Sequence, residues 1–501
     1  MFVASQKEMQ LCDRYTIEQL GLPGVVLMEN AGNAVVQEVI AHYSINAKVF
    51  VIAGGGNNGG DGFVIARRLI DYGFDVMLCL AVSEDCLKGD AKIHFEAYKN
   101  RNLPYFQYND ENQKTLQSYI NNSDVIIDAI LGTGVIGNVR YPFKEIIETI
   151  NRSNKEIIAV DIPSGVNANT GEVANVAVKA TKTVTFAMPK IGFFIGDGPQ
   201  FIGEWKVVDI SVPLEIVDTL ELDLPILLDE PIAKDALPKR IPHGHKGTFG
   251  HCFVIGGCTN YIGAPIYTAK AAFHTGVGLV SLAIPKAIYP IVATQCPEIL
   301  LFPIEDESNL DEVDFSKFKV IAFGPGLGRE VDGEKICETL LSKLNRQTII
   351  IDADGLYFIK NHLHKLKDYE GDIILTPHPG EMATLTEVSV KEVEKNRIDV
   401  AKQFAVKYGV YLLLKGHRSI IATPEGKLWI NPYGNDALGK GGSGDVLTGL
   451  LTSFTTQGAT PLEAMQAASY YHATSAEQLG KEQSNYGITP TAIIDHISKR
   501  L

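Results

Sequence analysis

Short, nearly continuous apolar runs alternate with helix-period segments along most of the chain, and this alternation restricts the fold more than any other feature. In the first half the runs are Val49–Ala53, Asp75–Val82, Asp124–Leu131, Glu156–Asp161 and Thr183–Ala187. In the second half they are His251–Ile255, Leu279–Ile284, Val320–Phe323, Thr348–Asp352, Ile373–Leu375, Val410–Leu414 and Ser419–Ala422. Strands apolar on both faces belong to parallel sheets covered by helices on each side. A chain of 501 residues also exceeds one hydrophobic core, and two to three domains are expected. Pro213, Pro225, Pro231, Pro238 and Pro242 interrupt the pattern between Val212 and His243, which reads as the linker. The expected fold is therefore α/β in two domains. The first is a Rossmann-like doubly wound sheet that opens with a capped helix (Ser5 with Glu8; Met9, Cys12, Thr16 and Leu20 at helical spacing), followed by a second helix over Val25–Tyr43.

Charge narrows the ligands. The formal net charge is −14, and both halves are acidic: 18 Lys+Arg against 27 Asp+Glu in residues 1–222, and 27 against 32 in the remainder. Neither half offers the basic face that nucleic acid or an anionic membrane needs, so no nucleic-acid and no membrane partner is expected. A phosphate-bearing ligand would have to be held by backbone N–H groups, helix N-termini and a few placed cations. Seven scattered cysteines without a C-x-x-C spacing suggest neither zinc nor a disulfide framework, and point to a cytoplasmic, reducing setting.

Three polar, Gly-bearing segments follow strands in the first half. GGGNNGGDG (54–62) precedes a helix expected over Phe63–Tyr72, GTGVIGN (132–138) follows Asp124–Leu131, and IPSGVNANTGE follows Asp161. Ligands of open α/β sheets bind outside the carboxyl ends of strands, so Asn58, Asp128, Asp161 and Ser164 should face one crevice. Gly54, Gly56 and Gly59 satisfy G-x-G-x-x-G, but Asp61 places negative charge where a pyrophosphate would sit, which disfavours a plain dinucleotide-dependent dehydrogenase. Oxygen donors with a carboxylate suit a hard cation.

NNGGDG, DAILGTG and DIPSGVNANTG resemble, in order, the epimerase domain of the NAD(P)H-hydrate repair family, over about residues 1–215. The resemblance implies interconversion of R and S hydrates. It implies hydrate binding by Asn57, Asn58, Gly59, Gly60 and Asp61, by Gly132, Thr133, Gly134, Val135, Ile136, Gly137 and Asn138, and by Asp161. It further implies K+ held by Asn58, Asp128 and Ser164. Inversion at the hydroxyl-bearing ring carbon requires proton transfer, for which Asp161 is the catalytic candidate; it serves equally as a carboxylate that only binds substrate or caps its loop.

In the second half, GKGGSGDVLTGLL (439–451) joins a glycine turn to a helix expected to start near Asp445. The turn's N–H groups can surround a phosphate, and Asp445 can act as a general base or simply cap the helix. KGHRS (415–419) offers Lys415 and Arg418 to a nucleotide. TPHPGE (376–381) offers Glu381 to a hydrated Mg2+. Asp352 and Asp354 end the run Thr348–Asp352 beside these loops, as candidates for the same site or as simply solvated or helix-capping acids.

HKGTFGHCFVIGG, NYIGAPIYTAKAA, FGPGLG, IDADGL, TPHPGEMATL, LLLKGHRS and GGSGDVLTGLL resemble the ribokinase-like superfamily, and more closely the dehydratase domain of the same family, over about residues 225–501. That resemblance implies a ribokinase-like α/β sandwich, hydrate contacts from Ala264, Gly326, His378 and Asp445, and adenine-nucleotide contacts from Lys415, Gly416, His417, Arg418, Ser419 and Gly444. Lys440 stands where the motif usually has a small residue, and reads as an extra cation near the phosphate. The implied activity is a bifunctional repair enzyme that uses ADP, or ATP, with Mg2+ and K+, and a homo-oligomer is expected. The alternative is a ribokinase-like small-molecule kinase whose first domain is inert or regulatory.

Overall fold

A computed structural model describes residues 1–501 and divides them into two compact units, Met1–Leu224 and Pro225–Leu501. The first unit is built on a seven-stranded sheet: β1 (Lys48–Ala53), β2 (Asp75–Leu80), β3 (Tyr105–Gln107), β4 (Val125–Ala129), β5 (Glu156–Val160), β6 (Lys182–Phe186) and β7 (Glu204–Val208). Its order is β3-β2-β1-β4-β5-β6-β7 with every pair parallel, as in Val49↔Val125 and Val49↔Val76. Strand order reverses between β1 and β4, the switch point where such sheets bind ligands. All five residues of β4 are buried, as expected for a central strand covered on both faces. The Ser5/Glu8 capping box forms as anticipated, and Met9, Cys12 and Thr16 are buried, whereas Leu20 lies beyond the helix Gln6–Glu18 and is exposed. The second helix runs Gly24–His42.

The second unit holds a ten-stranded sheet: β8 (Ile226–Leu227), β9 (His251–Ile255), β10 (Leu279–Pro285), β11 (Leu300–Ile304), β12 (Val320–Phe323), β13 (Thr348–Ile351), β14 (Ile373–Leu375), β15 (Tyr411–Leu414), β16 (Ile420–Ala422) and β17 (Leu428–Ile430). Its order is β11-β10-β9-β12-β13-β14-β15-β16-β17-β8, parallel from β11 to β15 and antiparallel across β15/β16 and β16/β17. The carboxyl ends of the parallel strands β9, β12, β13, β14 and β15 lie on one side of the sheet, where the motif-bearing loops emerge. No helix is long and apolar enough to cross a membrane.

Two expectations change. The stretch 212–243 is not one linker: Ile216, Val217 and Leu224 pack into the first unit's core, while β8 pairs with β17 and the helix Glu230–Asp235 belongs to the second unit. The glycine segment after β1 is not a loop up to Phe63 either. The helix runs Asn57–Asp71, so NNGGDG forms its first turns.

Candidate functional site

A cavity of about 590 Å³ opens at the carboxyl ends of β1 and β4 in the first unit. Asn57, Asn58, Asp61, Gly132, Thr133, Gly134 and Asp161 line it, so residues from all three motifs meet there. Gly59 and Gly60 do not. A Cβ on Gly59 would lie 1.9 Å from the Gly54 carbonyl oxygen, and one on Gly60 would lie 2.4 Å from Met28 Sδ, so both glycines allow close packing of the helix. Val135, Ile136, Gly137 and Asn138 also lie outside the lining. Val135 packs on the core, and Ile136, Gly137 and Asn138 are exposed, because the chain turns outward after Gly134.

The oxygen-rich corner is ordered by one network. Asp128, fully buried, accepts from the Ser164 amide at 2.8 Å and the Ser164 hydroxyl at 2.6 Å. Asn58 donates to the Leu131 carbonyl at 2.9 Å, leaving its buried Oδ1 without a partner. Burial pushes the Asp128 carboxyl up to about 6 despite those hydrogen bonds.

Asp161 directly follows β5 with a left-handed φ of 64°. Its Oδ1 accepts from Thr185 Oγ1 and the Phe186 amide, each at 3.1 Å, and pairs with Lys190 Nζ. Lys190 is 1% exposed and also donates to Thr185 Oγ1 at 2.9 Å. The sequence motifs omit this buried lysine and also Asp13, which reaches the same cavity from the first helix. Asp13 lies four residues after Met9 beside an apolar face, the one local sign that it points inward.

In the second unit, Asp445 lies in the first turn of the helix Ser443–Thr456; Gly442, at a φ of 94°, is the N-cap, so Asp445 does not cap it. The Thr268 hydroxyl, fully buried, lies 3.1 Å from both the Ala264 and Asp445 carbonyls and ties the two segments together. Gly326, also left-handed, abuts Ala264, where a Cβ would come within 2.8 Å of the alanine methyl.

Asp352 is neither solvated nor a cap. It is buried at the end of β13, where it meets Lys415 Nζ and Thr448 Oγ1, both at 2.6 Å. Burial opposes its ionisation, but Lys415 and the hydroxyls hold it below the usual carboxylate range. Asp354, by contrast, occupies the first turn of Asp354–Ile359 and accepts from the Gly328 amide at 2.9 Å. Burial and then the Asp352 charge push Asp445 up to about 7, against the pull of Lys415.

His378 caps the helix Pro379–Thr386, with Nδ1 accepting from the Gly380 amide at 3.0 Å, while Glu381 returns a carboxylate oxygen to the His378 amide at 2.8 Å. Glu381 also stands 4.0 Å from Lys415 Nζ. Burial raises its carboxyl, with Lys415 opposing.

A separate cavity of about 530 Å³ is lined by Lys415, Gly416, His417, Arg418, Ser419 and Gly444, which brings together every residue expected to meet the nucleotide. Arg397, which no motif announces, shapes that loop. It is buried, and its guanidinium donates to the carbonyls of Leu414, Lys415 and Arg418 while pairing with Glu394 at 3.1 Å. His472, burial-depressed to about 4, is neutral against Ser443 Oγ at 3.2 Å. Lys440 is not a spare cation near the phosphate: its Nζ donates to the carbonyls of Asn485, Tyr486 and Ile488.

Residues 252–499 match the family described as NAD(P)H-hydrate dehydratase, and residues 24–192 match the YjeF-related protein N-terminus. A bifunctional NAD(P)H-hydrate repair enzyme of Moorella thermoacetica is 32% identical over 99% of this chain and 96% of its own length. One from Thermofilum pendens is 34% identical over 100% and 96%. Among solved structures, the ADP/ATP-dependent NAD(P)H-hydrate dehydratase of Bacillus subtilis, co-crystallised with ATP/Mg2+, aligns with a TM-score of 0.50 at 29% identity, covering 56% of this chain and 98% of that one. With both halves matched in order and relatives aligned end to end, the chain belongs to the family of bifunctional NAD(P)H-hydrate repair enzymes.

Proposed function

We propose that the first unit interconverts the R and S hydrates of NADH and NADPH and that the second dehydrates the S form, consuming ADP and releasing AMP and phosphate. The observation that carries the reading is the second unit's constellation: a half-buried base, Asp445, beside the Lys415–Asp352 pair, with Lys415 also lining the nucleotide cavity. Asp445 takes the proton of the C6 hydroxyl, whose oxygen forms a bond to the terminal phosphorus of ADP as the bridging P–O bond breaks and AMP departs. The ring-nitrogen lone pair then expels phosphate, and loss of a proton from C5 restores the ring double bond. Lys415 and the amides at the start of Ser443–Thr456 stabilise the transferring charge, so catalysis is mainly positioning and electrostatics.

Glu381 is the carboxylate placed to hold a hydrated Mg2+, which would neutralise phosphate charge. In the first unit, the unpartnered Asn58 Oδ1 beside Asp128 and Ser164 fits K+, which would order the cavity's polar wall. ADP as the preferred donor and a cytoplasmic location, supported by seven free cysteines, belong to the same proposal.

The base must be ionised, so dehydration at saturating ADP rises with pH through about 7 and is slow below it. A pH–rate profile checks this, and a rate unchanged from pH 5.5 to 8 contradicts it. The activity itself is tested by incubating the full chain with mixed hydrates and ADP. Complete recovery of NAD(P)H with AMP and phosphate is expected. A stable phosphorylated product would instead make the second unit a small-molecule kinase, and recovery halting at the S fraction would leave the first unit without epimerase activity.

A further inference from the structure

Four carboxylates line the first unit's cavity, those of Asp13, Asp61, Asp90 and Asp161, with no Lys, Arg or His among the lining residues. The one cation in contact with these acids is Lys190, behind Asp161. Asp13 is held in place by its helix, whose capping box fixes one end and whose Met9, Cys12 and Thr16 are buried on either side of it. Its Oδ1 is buried and has no hydrogen-bond partner, although Asp161 has three donors on Oδ1 alone.

Carboxylates crowded around one ammonium compete for it, and environments that separate proton affinities mark out an acid and a base. Burial raises Asp13 to about 6, with Asp161 adding to the shift and Lys190 opposing it. Asp61 is raised well above the usual range, by burial and then by Asp161 and Asp13. The neighbouring Cys12 thiol is pushed up to about 11 and contributes no charge.

We propose that Asp13 and Asp161 form the proton-transfer pair of the first unit, with Asp13 a catalytic residue on the cavity wall. This rests on the epimerase reading given above. With one proton on the pair, the protonated member gives it to the C6 hydroxyl. The C–O bond breaks, its electrons leave with water, and the ring-nitrogen lone pair forms a C=N bond. A water then adds to the opposite face and its proton passes to the other carboxylate, so the pair ends with one proton and the ring carbon is inverted. A proton exchange with solvent resets the pair.

The test follows the initial rate of conversion of R hydrate to S hydrate by the full chain without ADP, the epimers being separated chromatographically, so that dehydration, slow below about pH 7, does not limit it. S-hydrate dehydration is measured separately with ADP. In the wild type the rate should fall as pH rises above about 6, when Asp13 loses its proton. Asp13→Asn should lower kcat for R hydrate by about 10²-fold or more, with KM within twofold, no alkaline limb near pH 6, and S-hydrate dehydration unchanged. Asp13→Glu should recover part of the rate and restore an alkaline limb. An Asp13→Asn protein that epimerises normally, or whose loss is entirely in KM with the limb intact, overturns the assignment. If Asp13→Asn unfolds the first unit, Asp13→Glu decides: a folded protein with wild-type rate and an unshifted limb also overturns it. A wild-type chain that leaves R hydrate untouched overturns the epimerase reading itself.

Discussion

Asp445→Asn should lower S-hydrate dehydration by about 10²–10⁴-fold while leaving ADP affinity within twofold, because it removes a base and little else. The link from Thr268 reaches the Asp445 backbone carbonyl, which the substitution keeps, and Lys415 stays paired with Asp352. The amide also ends the repulsion from Asp352 that raises the Asp445 carboxyl, so the second unit should melt at or above the wild-type temperature. Single-turnover measurements alongside ADP titration calorimetry separate the two effects. Turnover undiminished in this variant would remove Asp445 from the chemistry.

Lys190→Met has its largest effect on stability. Lys190 is 1% exposed, and Asp161 loses its only ion-pair partner when the ammonium is removed, leaving a half-buried carboxylate with Thr185 and the Phe186 amide alone. Breaking a buried pair from one side costs about 3–5 kcal/mol. The first unit's thermal transition should therefore drop by many degrees while the second unit's stays in place, and epimerisation should disappear with the ordered Asp161. Adding Asp161→Asn should restore much of the melting temperature but not the activity. A first-unit transition unmoved by Lys190→Met would mean that the pair contributes nothing to the fold.

The central strands could be read from residue order because burial on both faces demands it: β4, β12 and β13 are apolar at nearly every position. The strands that escaped are short or compromised. β3, β7, β8 and β11 lie at sheet edges, with Pro303 inside β11, and β17 has only three residues. The helix at Asn57 was hidden by glycines whose helical state is imposed by packing against Gly54 and Met28, which no local propensity reveals. The motif residues near Asn58, Asp161, Lys415 and Asp445 were readable because each follows a strand or opens a helix. The partners that set their ionisation were not. Lys190 lies 29 residues from Asp161, and Asp352 lies 63 from Lys415, so only the folded sheet, at its strands' carboxyl ends, brings each pair together. For Asp352 in particular the choice between a site acid and a solvated one stayed open, because nothing beside it in the chain shows that Thr448 and Lys415 will enclose it.

Lys440 bears on the order of folding. Its ammonium fastens the glycine turn before Ser443 to the carbonyls of Asn485, Tyr486 and Ile488, and Gly442 packs against Pro490. The nucleotide loop's final shape thus depends on a segment 45 residues downstream, a non-local closure of the kind that slows folding. During synthesis the first unit can complete its sheet long before the nucleotide site exists.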